Sequence, residues 1–158
     1  MATEIERKFL VLGTEWRAEK GVAIWQGYLN RDKSRTVRVR VAGALAYLTV
    51  KGATQGAIRA EFEYEIPVSD AEQLRALCDG PIIEKVRRNV SYGGFTWEVD
   101  EFAGDNAGLV VAEIELQSES QEFEKPPWVG LEVTDDARYF NSNLAIQPYA
   151  TWHTPVGA

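Results

Sequence analysis

A chain of 158 residues, 45% apolar and 26% charged, has the balance of a soluble globular protein and can bury a core of its own. Its formal net charge of -7 argues against a general nucleic-acid binder, whose affinity rests on neutralising phosphates with Lys and Arg. One cysteine, Cys78, excludes an intrachain disulfide, and no apolar run approaches the roughly 20 residues of a membrane span. With no leader recognisable before the first strand, the expected setting is a reducing cytoplasm, without membrane or nucleic-acid partners. Residues 1–158 are expected to form one domain, with 148–158 a tail of no usable pattern.

The organising signal is alternation, since successive side chains of a strand point to opposite faces. In Glu4-Ile5-Glu6-Arg7-Lys8-Phe9, the residues Glu4, Glu6 and Lys8 share one face. Residues 13–22 are polar, with room for one helical turn, and 24–29 read as a second strand. Strand 34–42 sets Thr36, Arg38 and Arg40 against Val37, Val39 and Val41; Gly43-Ala44 predicts a tight hairpin into 45–51, which carries Thr49 and Lys51. Strand 57–66 places Arg59, Glu61, Glu63 and Glu65 on one face, and Pro67 ends it. Ser69-Asp70-Ala71-Glu72 reads as a capping box, predicting a helix over 70–78. Strand 82–91 carries Lys85, Arg87 and Asn89. Gly93-Gly94 predicts a second hairpin into 95–102, with Thr96, Glu98 and Asp100, and strand 109–117 carries Glu113, Glu115 and Gln117. After Ser118 the pattern turns helical, broken by Pro126-Pro127 and Gly130, and a last helix is expected over Asn141–Ile146.

Eight strands with hairpin-length connections make an antiparallel sheet or a closed barrel. The ordinary arrangement puts the charged faces in water. Three features point the other way. The charge density is high, the signs are segregated by strand, and the helices need an apolar outer surface to cover. Turned inside out, an eight-stranded barrel would hold these charges in a lumen that fits side chains or one small ligand. Carboxylates crowded there need cations to remain ionised. Clustered carboxylates suit hard divalent ions such as Mg²⁺ or Mn²⁺, while Arg and Lys suit a polyanion of several phosphates. A metal with a polyphosphate balances both halves and points to phosphoryl transfer or hydrolysis.

The series Glu4-x-Glu6-x-Lys8, Arg38-x-Arg40, Lys51, Glu61-x-Glu63, Lys85-x-Arg87, Glu98-x-Asp100, Glu113-x-Glu115 and Asp136-Ala137-Arg138-Tyr139 resembles the CYTH family, also called triphosphate tunnel metalloenzymes. The resemblance spans roughly residues 3–147. It implies a mainly β, α+β fold: a closed eight-stranded antiparallel tunnel with a charged lumen and a few helices outside. It also implies a triphosphate substrate, a divalent cation and a homodimer. The opening Glu-Ile-Glu-Arg-Lys-Phe looks most like the inorganic triphosphatases of the family.

Carried onto this chain, the resemblance gives Lys8, Arg38, Arg40, Lys51, Lys85, Arg87 and Arg138 as phosphate contacts. Glu4, Glu6, Glu61, Glu63, Glu113 and Glu115 become metal ligands, with Glu98 and Asp100 as ligands or as partners that orient the bases. Lys8 and Tyr28 match a Lys–Tyr pair proposed to assist catalysis, and Lys85 joins them as a catalytic candidate. Some relatives carry lysines after the Arg-Tyr step; here Phe140-Asn141-Ser142-Asn143 leaves Arg138 alone. The expected reaction is hydrolysis of inorganic tripolyphosphate to pyrophosphate and phosphate. The alternatives are a class IV adenylyl cyclase, a thiamine triphosphatase with Trp25 or Trp97 stacking on the substrate, and a non-catalytic polyphosphate-binding module. Arg7 and Arg88 lie off the charged face and Cys78 reads as a helix-core residue. Arg59 and Glu65 read as a pair near a tunnel end, and the single histidine, His153, has no metal-ligand spacing.

Overall fold

The computed structural model describes residues 3–152; His153 lies outside them. In chain order the strands are β1 (Thr3–Val11), β2 (Gly21–Asn30), β3 (Arg35–Ala42), β4 (Leu45–Gly52) and β5 (Ile58–Ile66), then β6 (Ile83–Tyr92), β7 (Phe95–Phe102), β8 (Val110–Glu115) and β9 (Val129–Glu132). Helix α1 (Val68–Arg75) lies between β5 and β6, and α2 (Asn141–Leu144) follows β9. The sheet runs β5-β4-β3-β2-β6-β7-β8-β1, every pair antiparallel, and β5 returns to β1 to close an eight-stranded barrel.

Closure is short. Thr3, Glu4 and Ile5 face Ala60, Arg59 and Ile58, and the far end of the same β1 edge is taken by β9, through Phe9 and Val11. That ninth strand was not expected, because Val129-Gly130-Leu131-Glu132 is too short for its alternation to stand out beside Pro126-Pro127. Both predicted hairpins are present as two-residue turns. Gly43 (φ +59°) opens one, and Gly93 and Gly94 (φ +59° and +80°) form the other, in the left-handed region that tight antiparallel turns require.

The helical expectations fared less well. Helix α1 begins at Val68 with Pro67 as its cap and no side-chain cap bond, so Ser69 falls inside the first turn and the capping box does not form. Its last turn loosens after Arg75, and α2 stops at Leu144. Residues 116–128 contain no helix. That segment lies across the barrel wall, its ends fixed by the Leu116 amide donating to Ile5 O and by Leu12 N donating to Trp128 O.

The apolar faces point outward, as an inside-out barrel demands. Phe9, Trp97, Val99, Ala112 and Ile114 form a cluster roofed by Trp16, Phe123 and Trp128. Ile83, Phe102 and Val111 are covered by Tyr139, Leu144 and Ala145, while Val39, Val41 and Ala46 lie under Ala71 of α1. Among the described residues, no helix is long and apolar enough to cross a membrane.

Candidate active site

The charged faces converge in the barrel on a cavity of about 240 Å³. Glu4, Glu6 and Lys8 of β1 reach it, with Arg38, Arg40 and Lys51 from β3 and β4, and Arg59, Glu61 and Glu63 from β5. Lys85, Arg87, Glu98, Glu113 and Glu115 complete the wall, and Tyr28 lines it from β2. Asp100 lies beneath this surface, 1% exposed.

Strand register decides which charges meet. Lys51 faces Glu61 across β4 and β5, and its Nζ lies 3.3 Å from Glu61 and 2.8 Å from Glu4. Arg38 faces Thr49; its Nη2 donates to Thr49 Oγ1 and to Glu63 Oε2, and Thr49 itself donates to Glu63 at 2.9 Å. Arg87 forks onto Asp100 at 2.7 and 2.8 Å and reaches Glu98 at 3.1 Å. Lys85 Nζ donates to Asp100 Oδ2 at 2.8 Å and to Asn141 Oδ1 at 3.1 Å. Lys8 Nζ donates to Tyr139 O at 3.2 Å and lies 3.7 Å from Glu113.

The opposite situation holds where β1, β8 and β7 lie side by side. There Glu6 faces Glu115 and Glu98 faces Glu113. Like charges placed opposite one another destabilise a sheet. Carboxylate oxygens of Glu6, Glu98 and Glu113 lie within 4.8 Å of one another. Burial, then Glu113 and Glu4, pushes the Glu6 carboxyl well above its ordinary value. Burial also raises Glu98 against the pull of Arg87. Glu113 goes the other way: burial would raise it, but Lys8 and a hydrogen bond from Glu6 hold it at about 2. The two shifts favour Glu6 over Glu113 as the site of a shared proton. Three clustered carboxylate oxygens, one kept neutral by its neighbours, are a donor set that fits a hard divalent cation.

The bases are perturbed too. Burial pulls Lys85 down to about 7 despite Asp100, with Arg87 and Arg40 adding to the fall. Burial would raise Asp100, but Lys85 and Arg87 hold it far below the usual carboxylate range.

Of the expected site residues, Asp100 lies just beneath the cavity wall and Arg138 lies away from it. Arg138 is bound to Asp136 at 2.7 Å and stacked beside Tyr139 and Trp152, off the cavity wall, which Asn141 helps to line. Glu4, Glu61 and Glu63 reach the cavity engaged by Lys51 and Arg38; Glu98 is engaged by Arg87 and Glu113 by Lys8, so within the three-carboxylate cluster Glu6 alone has no ion-pair partner among the described residues. Asp100 is wholly taken up by bases and orients them. Arg59 does not pair with Glu65. Its guanidinium donates to Gly52 O and Thr36 Oγ1 and lies 4.0 Å from Glu4. Arg7 and Arg88 pair with Glu132 and Glu101, away from the cavity. Trp97 is buried in the outer core and Trp25 packs against the α1 cluster under Arg75, so neither lines the cavity. Cys78 packs against Gly27 of β2. Sequence reasoning passed over Gln26, Thr49 and Asn141 because they carry no charge; for Gln26 the available signal was its two-residue spacing from Tyr28.

Comparison with known proteins agrees with this geometry. The CYTH domain model matches residues 2–144. An inorganic triphosphatase of Acetivibrio thermocellus is 54% identical over 94% of this chain and 97% of its own. One from Nitrosomonas europaea is 39% identical over 91% of this chain and 97% of its own. A crystal structure of an inorganic triphosphatase, 38% identical, superposes with a TM-score of 0.67 over 92% of this chain and 96% of that one. The lumen of charges, the eight-strand closure and the matched span have one explanation: the chain belongs to the CYTH domain family.

Proposed function

We propose that this protein hydrolyses inorganic tripolyphosphate to pyrophosphate and phosphate with the aid of Mg²⁺ or Mn²⁺. The observation that carries the reading is the enclosed cavity in which a three-carboxylate cluster and a set of arginines and lysines face the same space. The names of the relatives, inorganic triphosphatases at 54% and 39% identity, support the substrate class.

Glu6, Glu98 and Glu113 would hold the cation, with Glu115 beside them; when bound, it supplies positive charge to the phosphate oxygens and polarises water. Arg38, Arg40, Lys51, Arg87 and Lys8 bind the anion and neutralise its charge. Water adds to the terminal phosphorus as the bridging P–O bond breaks, and the departing oxygen leaves with pyrophosphate. Lys85, held by Asp100 and Asn141, is the group placed to give that oxygen a proton, since a value near 7 lets it exchange one at neutral pH. A homodimer and a cytoplasmic setting belong to the same reading.

Purified protein with tripolyphosphate and either metal is expected to release phosphate above a Glu6→Ala control. Equal rates in the two would overturn the proposal. ATP with Mn²⁺ yielding cyclic AMP in place of phosphate would favour the cyclase, and binding without turnover would leave a polyphosphate-binding module.

A further inference from the structure

Gln26 is fully buried in the tunnel wall on β2, opposite Arg40 of β3 and two residues from Tyr28. Arg40 donates to Gln26 Oε1 from Nε at 2.9 Å and from Nη2 at 2.7 Å, and Gln26 Nε2 donates to the Tyr28 hydroxyl oxygen at 3.2 Å. The amide has only one workable orientation. A guanidinium carries donors alone, so the carbonyl end must face Arg40 and the NH₂ end must face Tyr28. The Tyr28 oxygen therefore accepts, and its own proton is free to be donated into the cavity that Tyr28 lines.

The second consequence concerns charge. Among the described residues, Lys8, Arg38, Lys51, Arg59, Lys85 and Arg87 each have a carboxylate within 4.0 Å. Arg40 has Gln26. A neutral acceptor satisfies the guanidinium hydrogens without cancelling the charge; burial, with Arg38 and Arg87 nearby, pulls Arg40 down to about 9, which leaves it cationic at neutral pH and available to an anion.

We infer that Gln26 is a positioning residue for anion binding: it keeps Arg40 uncompensated and fixes Tyr28 as a hydrogen-bond donor to a phosphate group. This rests on the tripolyphosphate reading for the identity of the anion. It also gives Tyr28 the part of a phosphate contact, separate from Lys8, whose ammonium is held by Tyr139 O and Glu113.

Gln26→Glu tests the inference because it changes one NH₂ to an oxygen and keeps the shape. The new carboxylate would accept from both Arg40 and Tyr28, cancelling the one charge and reversing the other hydrogen bond. Calorimetric binding of inorganic tripolyphosphate in EDTA is expected to weaken about tenfold or more, with a matching rise in KM under Mg²⁺, because the lost contacts are to a charged ligand. Thermal unfolding should show the variant folded. A residue that only fills space predicts wild-type affinity, and binding within about twofold of wild type would overturn the inference. Should Gln26→Glu not fold, Gln26→Met, neutral and similar in size, is expected to weaken binding at least about threefold by losing both bonds; about twofold or less refutes the idea. Wild-type protein that binds tripolyphosphate but does not cleave it would sink the proposed reaction and leave the calorimetric comparison standing.

Discussion

Replacing Glu6 with Gln should stabilise the metal-free protein and remove its response to divalent cations. Carboxylate oxygens of Glu6, Glu98 and Glu113 lie within 4.8 Å of one another. At an effective dielectric of about 20, two unit charges at that separation repel by about 3.5 kcal/mol. Keeping a proton on Glu6, which then bonds to Glu113, avoids that repulsion. The sign follows from linkage. An acid whose folded value is raised contributes its stability fully below the unfolded value, here 4.5, and loses it as pH rises through the folded value. The Gln amide imitates protonated Glu6 at every pH. Below about pH 4 the two proteins should match; by pH 8 the variant should be ahead by about 2 kcal/mol, the repulsion less what Lys8 and Lys51 offset. For a chain of this size that is about 4–8 °C in Tm. The shifted Lys85 has its own pH effect above neutrality, and it cancels in the comparison.

The same variant separates a metal site from a merely crowded one. A cation at about 100 times its Kd adds about 2.7 kcal/mol to the folded wild type, or about 5–11 °C. Glu6→Gln removes one of three carboxylates and should lose most of that gain. Thermal unfolding in EDTA at about pH 4 and pH 8, and in Mg²⁺ or Mn²⁺ at pH 8, checks both effects. A variant less stable than wild type at pH 8 without metal, or one that keeps the full metal response, would refute the reasoning.

Asp100→Asn leaves Lys85 and Arg87 buried without their shared carboxylate, at a cost of about 3–5 kcal/mol. Tm should fall by about 6–20 °C, and a fall under about 2 °C contradicts the assignment. Arg138→Ala should leave kcat/KM within about twofold, because its guanidinium lies on Asp136 outside the cavity and surface substitutions cost about 0.5 kcal/mol or less. A loss beyond tenfold would return it to the site. Gly27→Ala would set a Cβ 2.6 Å from Cys78 Sγ and 2.7 Å from Ile82 Cδ1, so the segment between α1 and β6 must shift or β2 must bend. Urea unfolding should show a loss of about 1–3 kcal/mol, partly recovered by adding Cys78→Ala.

The barrel itself was legible because alternation is a local property. Each strand declares which residues share a face, and two glycine turns declare which strands are neighbours. What alternation cannot state is the partner across the sheet. Glu98 and Asp100 lie two apart on one face and look equivalent in sequence. Register places Asp100 under Lys85 and Arg87, at 1% exposure, while Glu98 faces Glu113 and its side chain stays 40% exposed. Glu61 and Glu63 look equally alike in sequence, and register sets them beside Lys51 and Arg38. Residues 116–128 misled for a different reason. Their apolar spacing serves to place Phe123 and Trp128 on the outer cluster, and tertiary contact overrides any helical tendency beside two prolines.

Strand order then explains why a cation and an anion would find different walls. Basic β4 lies beside acidic β5, and basic β6 beside acidic β7, so most charges are neutralised by a neighbour. Two sectors escape this. At β7-β8-β1 Glu6 faces Glu115 and Glu98 faces Glu113, so Arg87 and Lys8 offset only part of the charge gathered at Glu6, Glu98 and Glu113. At β2-β3 the wall facing Arg38 and Arg40 is the neutral pair Gln26 and Tyr28, and Arg40 stays uncompensated. Round the closed ring β3 lies four strands from β8, and β2 four from β1, so the negative and positive walls confront each other across the lumen. On the proposed reading, a divalent cation on one wall and a polyphosphate on the other would complete a charge balance that the protein alone leaves open.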